Sequence, residues 1–177
     1  MNIDLRKVPE RATHYSHETE GRRAAYWRLE DGKAREVWIV ETDGCLWHAE
    51  NPKLSPGDAA LPLIRRLYLS GPMSGLPEFN YPAFHAEAGR LRALGYHVEN
   101  PAENDAPPCG TWQAFMRKAI AQLITCEAVA LLPGWTESRG ALLERQLAVT
   151  LGMPTVQSAR ITNPHTEAQT WHAELIK

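Results

Sequence analysis

Hydrophobic positions follow two different periods along this chain. The change between them falls at residues 51–62, NPKLSPGDAALP, where three prolines and a glycine interrupt both. Before that stretch, the runs 24–30, 35–41 and 45–49 are short, aromatic and β-branched, and Asp31-Gly32 and Asp43-Gly44 separate them. Runs of that kind joined by Asp-Gly pairs predict a small antiparallel meander. Such a sheet is marginal alone and calls for a larger domain or a partner subunit to pack against. Residues 1–20 are polar and expected to be partly disordered.

After the interruption, short apolar runs alternate with amphipathic stretches. A strand is expected over 66–70 and a helix over 81–94, with Phe84, Ala88, Leu91 and Leu94 on one face and Gly95 ending it. A short strand, 96–99, follows. Thr111 is a natural N-cap for a second helix whose Trp112, Phe115, Met116, Ala119, Ile120 and Leu123 recur at helical spacing and predict a core stripe. Residues 128–132 are uninterruptedly apolar, as in a central parallel strand buried on both faces. A third helix over 139–151 ends at Gly152 and leads to a strand over 154–157. The fold class expected is α/β: a doubly wound, flavodoxin- or Rossmann-like parallel sheet of four to five strands, with a small N-terminal antiparallel β extension. The division is an extension (1–50), a linker (51–63), the α/β domain (64–158) and a polar tail (159–177) long enough for one short amphipathic helix.

Composition narrows the function classes. With 44% hydrophobic residues in 177, the chain is long enough for one sizeable core and an accessory unit. A net charge of −2 supplies no global field, so no nucleic-acid polymer or anionic membrane is expected as a partner, and an anionic ligand must be caught locally. No apolar run approaches a membrane span and residues 1–5 do not read as a signal peptide, which makes a cytoplasmic protein the expectation. Cys45, Cys109 and Cys126 are odd in number and far apart, and the histidines lack ligand spacing. Neither a metal site nor a cofactor is expected.

Ligands of open parallel sheets bind beyond the carboxyl ends of the strands. Three segments fall there. Gly71, Pro72, Met73, Ser74 and Gly75 follow the first strand and offer backbone N–H groups and a hydroxyl to a phosphate or a sugar, or form a plain turn. Asn100-Pro101 follows the second. Pro133 to Gly140 follows the buried strand and holds Trp135, Ser138, Arg139 and Gly140, with Glu144 one turn further on. Ser138 is placed to cap the helix or to bond an anion at its positive end. Glu144 is placed to attack an anomeric carbon, or is a solvated helix residue. Trp135 is placed to stack on a base or to pack.

The text LYLSGPMSG (67–75), NPAE (100–103), Trp112, LLPGWTESRGALLE (131–144) and LGMPTV (151–156) resembles the nucleoside 2-deoxyribosyltransferase-like superfamily, and most closely its DUF4406-type branch of phages and bacteria. The N-terminal 60 residues lie outside the resemblance. It implies a doubly wound domain in which Glu144 attacks C1′ of a 2-deoxyribosyl group. Another base then takes the sugar in the transferases, and water takes it in the related 2′-deoxynucleoside 5′-phosphate N-hydrolases. It also implies substrate contacts from the 71–75 loop, Asn80, Asn100, Trp135, Ser138, Arg139 and Gly140, with Trp135 or Met73 near the base, and a homo-oligomer, a dimer or higher. The hydrolases carry a serine six residues before the glutamate, where the transferases carry an aspartate. Ser138 stands at that spacing, and a hydroxyl tolerates a phosphate dianion that a carboxylate repels, which favours a nucleotide over a nucleoside.

One position departs from the pattern. Active members carry an aspartate in the second helix where this chain has Ala119, after Arg117 and Lys118, and Glu103, Asp105 and Glu137 are the acidic candidates to replace it. Without that group a nucleotide-binding or sensing module with little turnover is the alternative to an enzyme. A third reading takes the PGW…G…E segment as a superficial likeness to the PGGxGTxxE site of phosphoribohydrolases, in which case ribonucleotides would be the substrates.

Overall fold

The computed structural model describes residues 8–16, 23–31, 33–41, 45–50, 52 and 61–162. These form two compact units that divide at Leu63 and Ile64. The expected tail helix and most of the expected linker lie outside the described residues.

The first unit is an antiparallel sheet of five strands: β1 (His14–Ser16), β2 (Ala25–Glu30), β3 (Lys33–Val40), β4 (Leu46–Glu50) and β5 (Leu61–Pro62), in the order β4-β3-β2-β1-β5. The three long strands are the expected meander. The sheet is larger than that meander because β1 arises in the polar N-terminal stretch and β5 in the proline-rich one. Three residues of alternation at 14–16 are too few to register against a polar background, and proline is tolerated at a sheet edge. Ala25, Trp27 and Val37 are buried together on one face, with Leu29, Ala34, Ile39 and Ala49 packed against them. Trp27 Nε1 donates to Ser16 Oγ at 2.9 Å, which satisfies the one polar atom of that buried ring.

The second unit holds β6 (Arg66–Ser70), α1 (Tyr81–Ala93), β7 (His97–Glu99), α2 (Trp112–Leu123), β8 (Ala128–Leu131), α3 (Arg139–Thr150) and β9 (Thr155–Gln157). Every expected element of this unit is present to within a residue or two. The four strands are parallel, in the order β7-β6-β8-β9. The two central strands are the most apolar: β8 is buried throughout and β6 from Leu67 to Ser70, as a parallel strand covered on both faces requires. Around Tyr68 a core forms from Ala119 and Leu123 of α2, Val129 and Leu131 of β8, Ala148 of α3, and Cys126 and Met153.

The expected stripe of α2 needs one correction. Met116, Ala119 and Leu123 are buried, but Phe115 is 40% exposed, and Trp112 and Ile120 are half-buried. At 100° per residue Phe115 lies about 75° from the centre of that stripe, beyond the width the sheet covers.

Candidate functional site

Strand β6 places Tyr68 and Ser70 two residues apart, so both side chains leave the same face of the sheet. Helix α3 turns Ala141, Glu144 and Ala148 inward. The two alanines keep the helix low on the sheet, and the one long side chain between them reaches the strand. Tyr68 Oη donates to Glu144 Oε1 at 2.8 Å, and Ser70 Oγ donates to Glu144 Oε2 at 2.5 Å. Tyr68 and Ser70 are fully buried and Glu144 is 6% exposed.

No cation pairs with Glu144 among the described residues. Burial pushes its carboxyl up to about 7, against the opposing effect of the Ser70 and Tyr68 hydroxyls, which favour the charged form. Burial, and then the neighbouring carboxylate, drive the Tyr68 phenol well above its ordinary value, so it stays a donor. A carboxylate half-ionised near neutrality and aimed by two hydroxyls is suited to act as nucleophile or general base.

The strand exits converge beside it. Ser70 and Leu131 are the last paired residues of β6 and β8, so Gly71 and Leu132 leave the sheet side by side. A Cβ on Gly71 would lie 2.8 Å from Leu132 Cβ and 3.3 Å from Phe84 Cζ, so only glycine fits. Gly134, at φ 79°, turns the other exit, and a Cβ there would lie 3.5 Å from Pro72 Cγ. Asn80 Nδ2 donates to the Pro72 carbonyl at 3.0 Å, and Leu76 N–H to the Met73 carbonyl at 3.2 Å. Ser74 and Gly75 are exposed. Between this loop and α1, the non-glycine residues Glu78, Phe79 and Asn80 all adopt left-handed backbone, with φ of 48°, 51° and 59°. That conformation costs roughly 1–2 kcal/mol per residue.

The remaining expected residues divide. Ser138 caps α3: its Oγ accepts from Ala141 N–H at 3.3 Å and keeps its own proton to donate. Gly140 lies against α2, where a Cβ would meet Met116 Sδ at 3.4 Å. The Arg139 guanidinium stands 4.1 Å from the centre of the Trp112 ring. Trp135 packs against the Tyr68 core with Arg145 5.2 Å over its face. Asn100 is 1% exposed and engaged within the chain. Its Oδ1 accepts from Ala102 N–H at 3.0 Å, and its Nδ2 donates to Glu103 at 3.1 Å and lies 3.4 Å from His85 Nδ1.

Ala119 is buried in the core beside Tyr68. Both Arg92 terminal nitrogens donate to Glu103 at 2.8 Å, and that contact is the main cause holding its carboxyl below the ordinary range. Asp105 and Glu137 are exposed. None of the three candidate replacements touches Glu144. Sequence reasoning missed Tyr68 and Ser70; the signal was a tyrosine and a serine at two-residue spacing in a strand otherwise apolar.

Comparison with curated proteins gives no match. The family model described as "Domain of unknown function (DUF4406)" matches residues 65–157, more than half of the chain and all of the site above. The chain therefore belongs to the DUF4406 family.

Proposed function

We propose that the protein cleaves or exchanges the N-glycosidic bond of 2′-deoxynucleosides or their 5′-monophosphates, with Glu144 as nucleophile. The observation that carries this reading is the buried Glu144 carboxylate, held by Tyr68 and Ser70 next to the glycine-bearing exit of β6. In the step proposed, a carboxylate oxygen of Glu144 bonds to C1′ as the C1′–N bond breaks, and the bonding pair leaves with the base, which takes up a proton. Water or a second base then attacks C1′ and frees the carboxylate, so the configuration at C1′ is retained.

The strand order supports the finer fold assignment, a doubly wound domain. The chain moves outward from β6 to β7 and then returns to β8 on the other side, which makes the β6/β8 boundary the switch point where such sheets bind ligands. Ser138, with a free hydroxyl proton, and Arg139, paired with no carboxylate among the described residues, favour a 5′-monophosphate. The same reading takes the protein as a cytoplasmic homo-oligomer acting on a small ligand. Among the described residues no helix is long and apolar enough to cross a membrane.

A sensing module with little turnover is the second reading, favoured by Ala119 in the core and by the pairing of Glu103 with Arg92. Incubating the protein with deoxynucleosides, their monophosphates and ribonucleotides, and separating free base by chromatography, decides between them. The wild type is expected to release base from a deoxynucleoside monophosphate, and Glu144→Ala to abolish release while still binding. Saturable binding without release would establish the sensor, and release from ribonucleotides alone would establish the phosphoribohydrolase reading.

A further inference from the structure

Two costs fall on one residue beside the site. Phe79 is 60% exposed, more than any other large hydrophobic side chain among the described residues, and its backbone is the middle of the three consecutive left-handed residues, Glu78 to Asn80. An exposed ring or a left-handed residue alone is unremarked on a protein surface. Three left-handed residues in a row that leave a phenyl ring largely in water are a costly arrangement, against which the turn sets the Phe79 N–H bond to the Leu76 carbonyl at 3.1 Å and a tilted contact with the Tyr81 ring.

The turn is also tied to the site. Asn80 Nδ2 bonds the Pro72 carbonyl at 3.0 Å, and Pro72 is two residues beyond Ser70, whose hydroxyl holds Glu144 at 2.5 Å. Two residues span at most about 7 Å of chain. The turn that carries the ring is thus fastened to the loop at the strand exit. Phe79 lies 5.9 Å from Tyr81 and Tyr81 lies 6.3 Å from His85, centre to centre, so the exposed face continues into a row of rings at the start of α1.

We infer that Phe79 is the platform on which the flat ring of the leaving base stacks, and that it sets preference among bases. The inference rests on the glycosidic reading for the identity of the ligand. A phenyl face accepts any base without hydrogen-bond readout and gains more from a purine, whose overlap is larger, than from a pyrimidine.

The test compares wild type with Phe79→Ala, Phe79→Leu and Phe79→Tyr, using 2′-deoxyadenosine and 2′-deoxycytidine 5′-monophosphates. Base release gives kcat/KM and calorimetry gives Kd. Phe79→Ala is expected to lose about ten-fold in affinity for the purine nucleotide and less for the pyrimidine, as stacking on an aromatic side chain predicts. Phe79→Leu should recover little and Phe79→Tyr most of it, with the melting temperature of each variant unchanged or raised. Equal Kd and kcat/KM in wild type and Phe79→Ala would overturn the role of Phe79 while leaving the glycosidic reading intact. A change in oligomeric state without a change in ligand affinity would do the same and assign the ring to a subunit contact. Binding that depends on Phe79 without any base release would retain the platform and remove the chemistry; no binding by the wild type would remove both.

Discussion

Glu144 is an acid whose proton is held more tightly in the folded chain than in the unfolded one. Its carboxyl sits at about 7, against an ordinary value of 4.5, and burial is the main cause. Between those two values the native state carries more protons than the unfolded state, so stability falls as pH rises through that window. The contribution is fully present below 4.5 and lost above about 7, and at 1.4 kcal/mol per unit it is on the order of 3 kcal/mol. Glu144→Gln should remove this dependence, seen as denaturation midpoints that no longer decline between pH 5 and pH 8. On the proposed glycosidic chemistry, activity runs the other way, because the carboxylate is the form that would attack: base release should rise through pH 7 and level off. Tyr68→Phe deletes one of the two hydroxyls that favour the charged form, so its pH–rate profile should be displaced to higher pH. The resemblance singles out Glu144 by its spacing after Ser138, whereas the residues alone also allow a solvated helix side chain; the structure corrects that alternative, since α3 turns Glu144 onto the sheet and buries it. Its two hydroxyl partners lie 74 and 76 residues away, and no local pattern announces which strand a helix will cover.

The parallel unit was legible because its periods are clean and its strands are apolar. What escaped was set by geometry between elements. Phe115 obeys the helical spacing of the stripe, yet the sheet covers a narrower arc than the apolar positions occupy. Strand β1 escaped because three residues carry too little alternation, and the left-handed turn before α1 escaped because Glu and Phe do not advertise positive φ and the one Asn marks only its last residue. Gly71 shows the opposite case, in which a plain turn glycine has a steric reason: the side-by-side exits of β6 and β8 leave no room for a Cβ. Since Leu132 Cβ belongs to the neighbouring strand exit and cannot swing aside, Gly71→Ala should cost about 1–3 kcal/mol, the range for overpacking a filled site, measured as a shift in urea midpoint at constant slope. A wild-type midpoint would mean that the two exits separate more easily than their register implies.

Over the whole molecule, charge is balanced and its local disposition matters more than its sum. Arg66, Arg90 and Arg92 are each committed to a carboxylate, whereas Arg139 and Arg145 of α3 face tryptophans and pair with no carboxylate among the described residues. Positive charge is therefore free on the helix that carries Glu144, in a chain whose net charge is −2. The three cysteines are divided by depth. Cys45 and Cys109 are exposed, and the Thr111 hydroxyl holds the Cys109 thiol below its usual range. Cys126 is sealed in the core around Tyr68, where burial pushes its thiol up to about 11. At pH 8 a disulfide reagent should therefore titrate two equivalents at once and leave the third. Cys126 will then be labelled only as fast as the core around Tyr68 breathes, so its slow phase is a built-in stopwatch for the opening of the parallel unit, and ligands that occupy that unit should lengthen it.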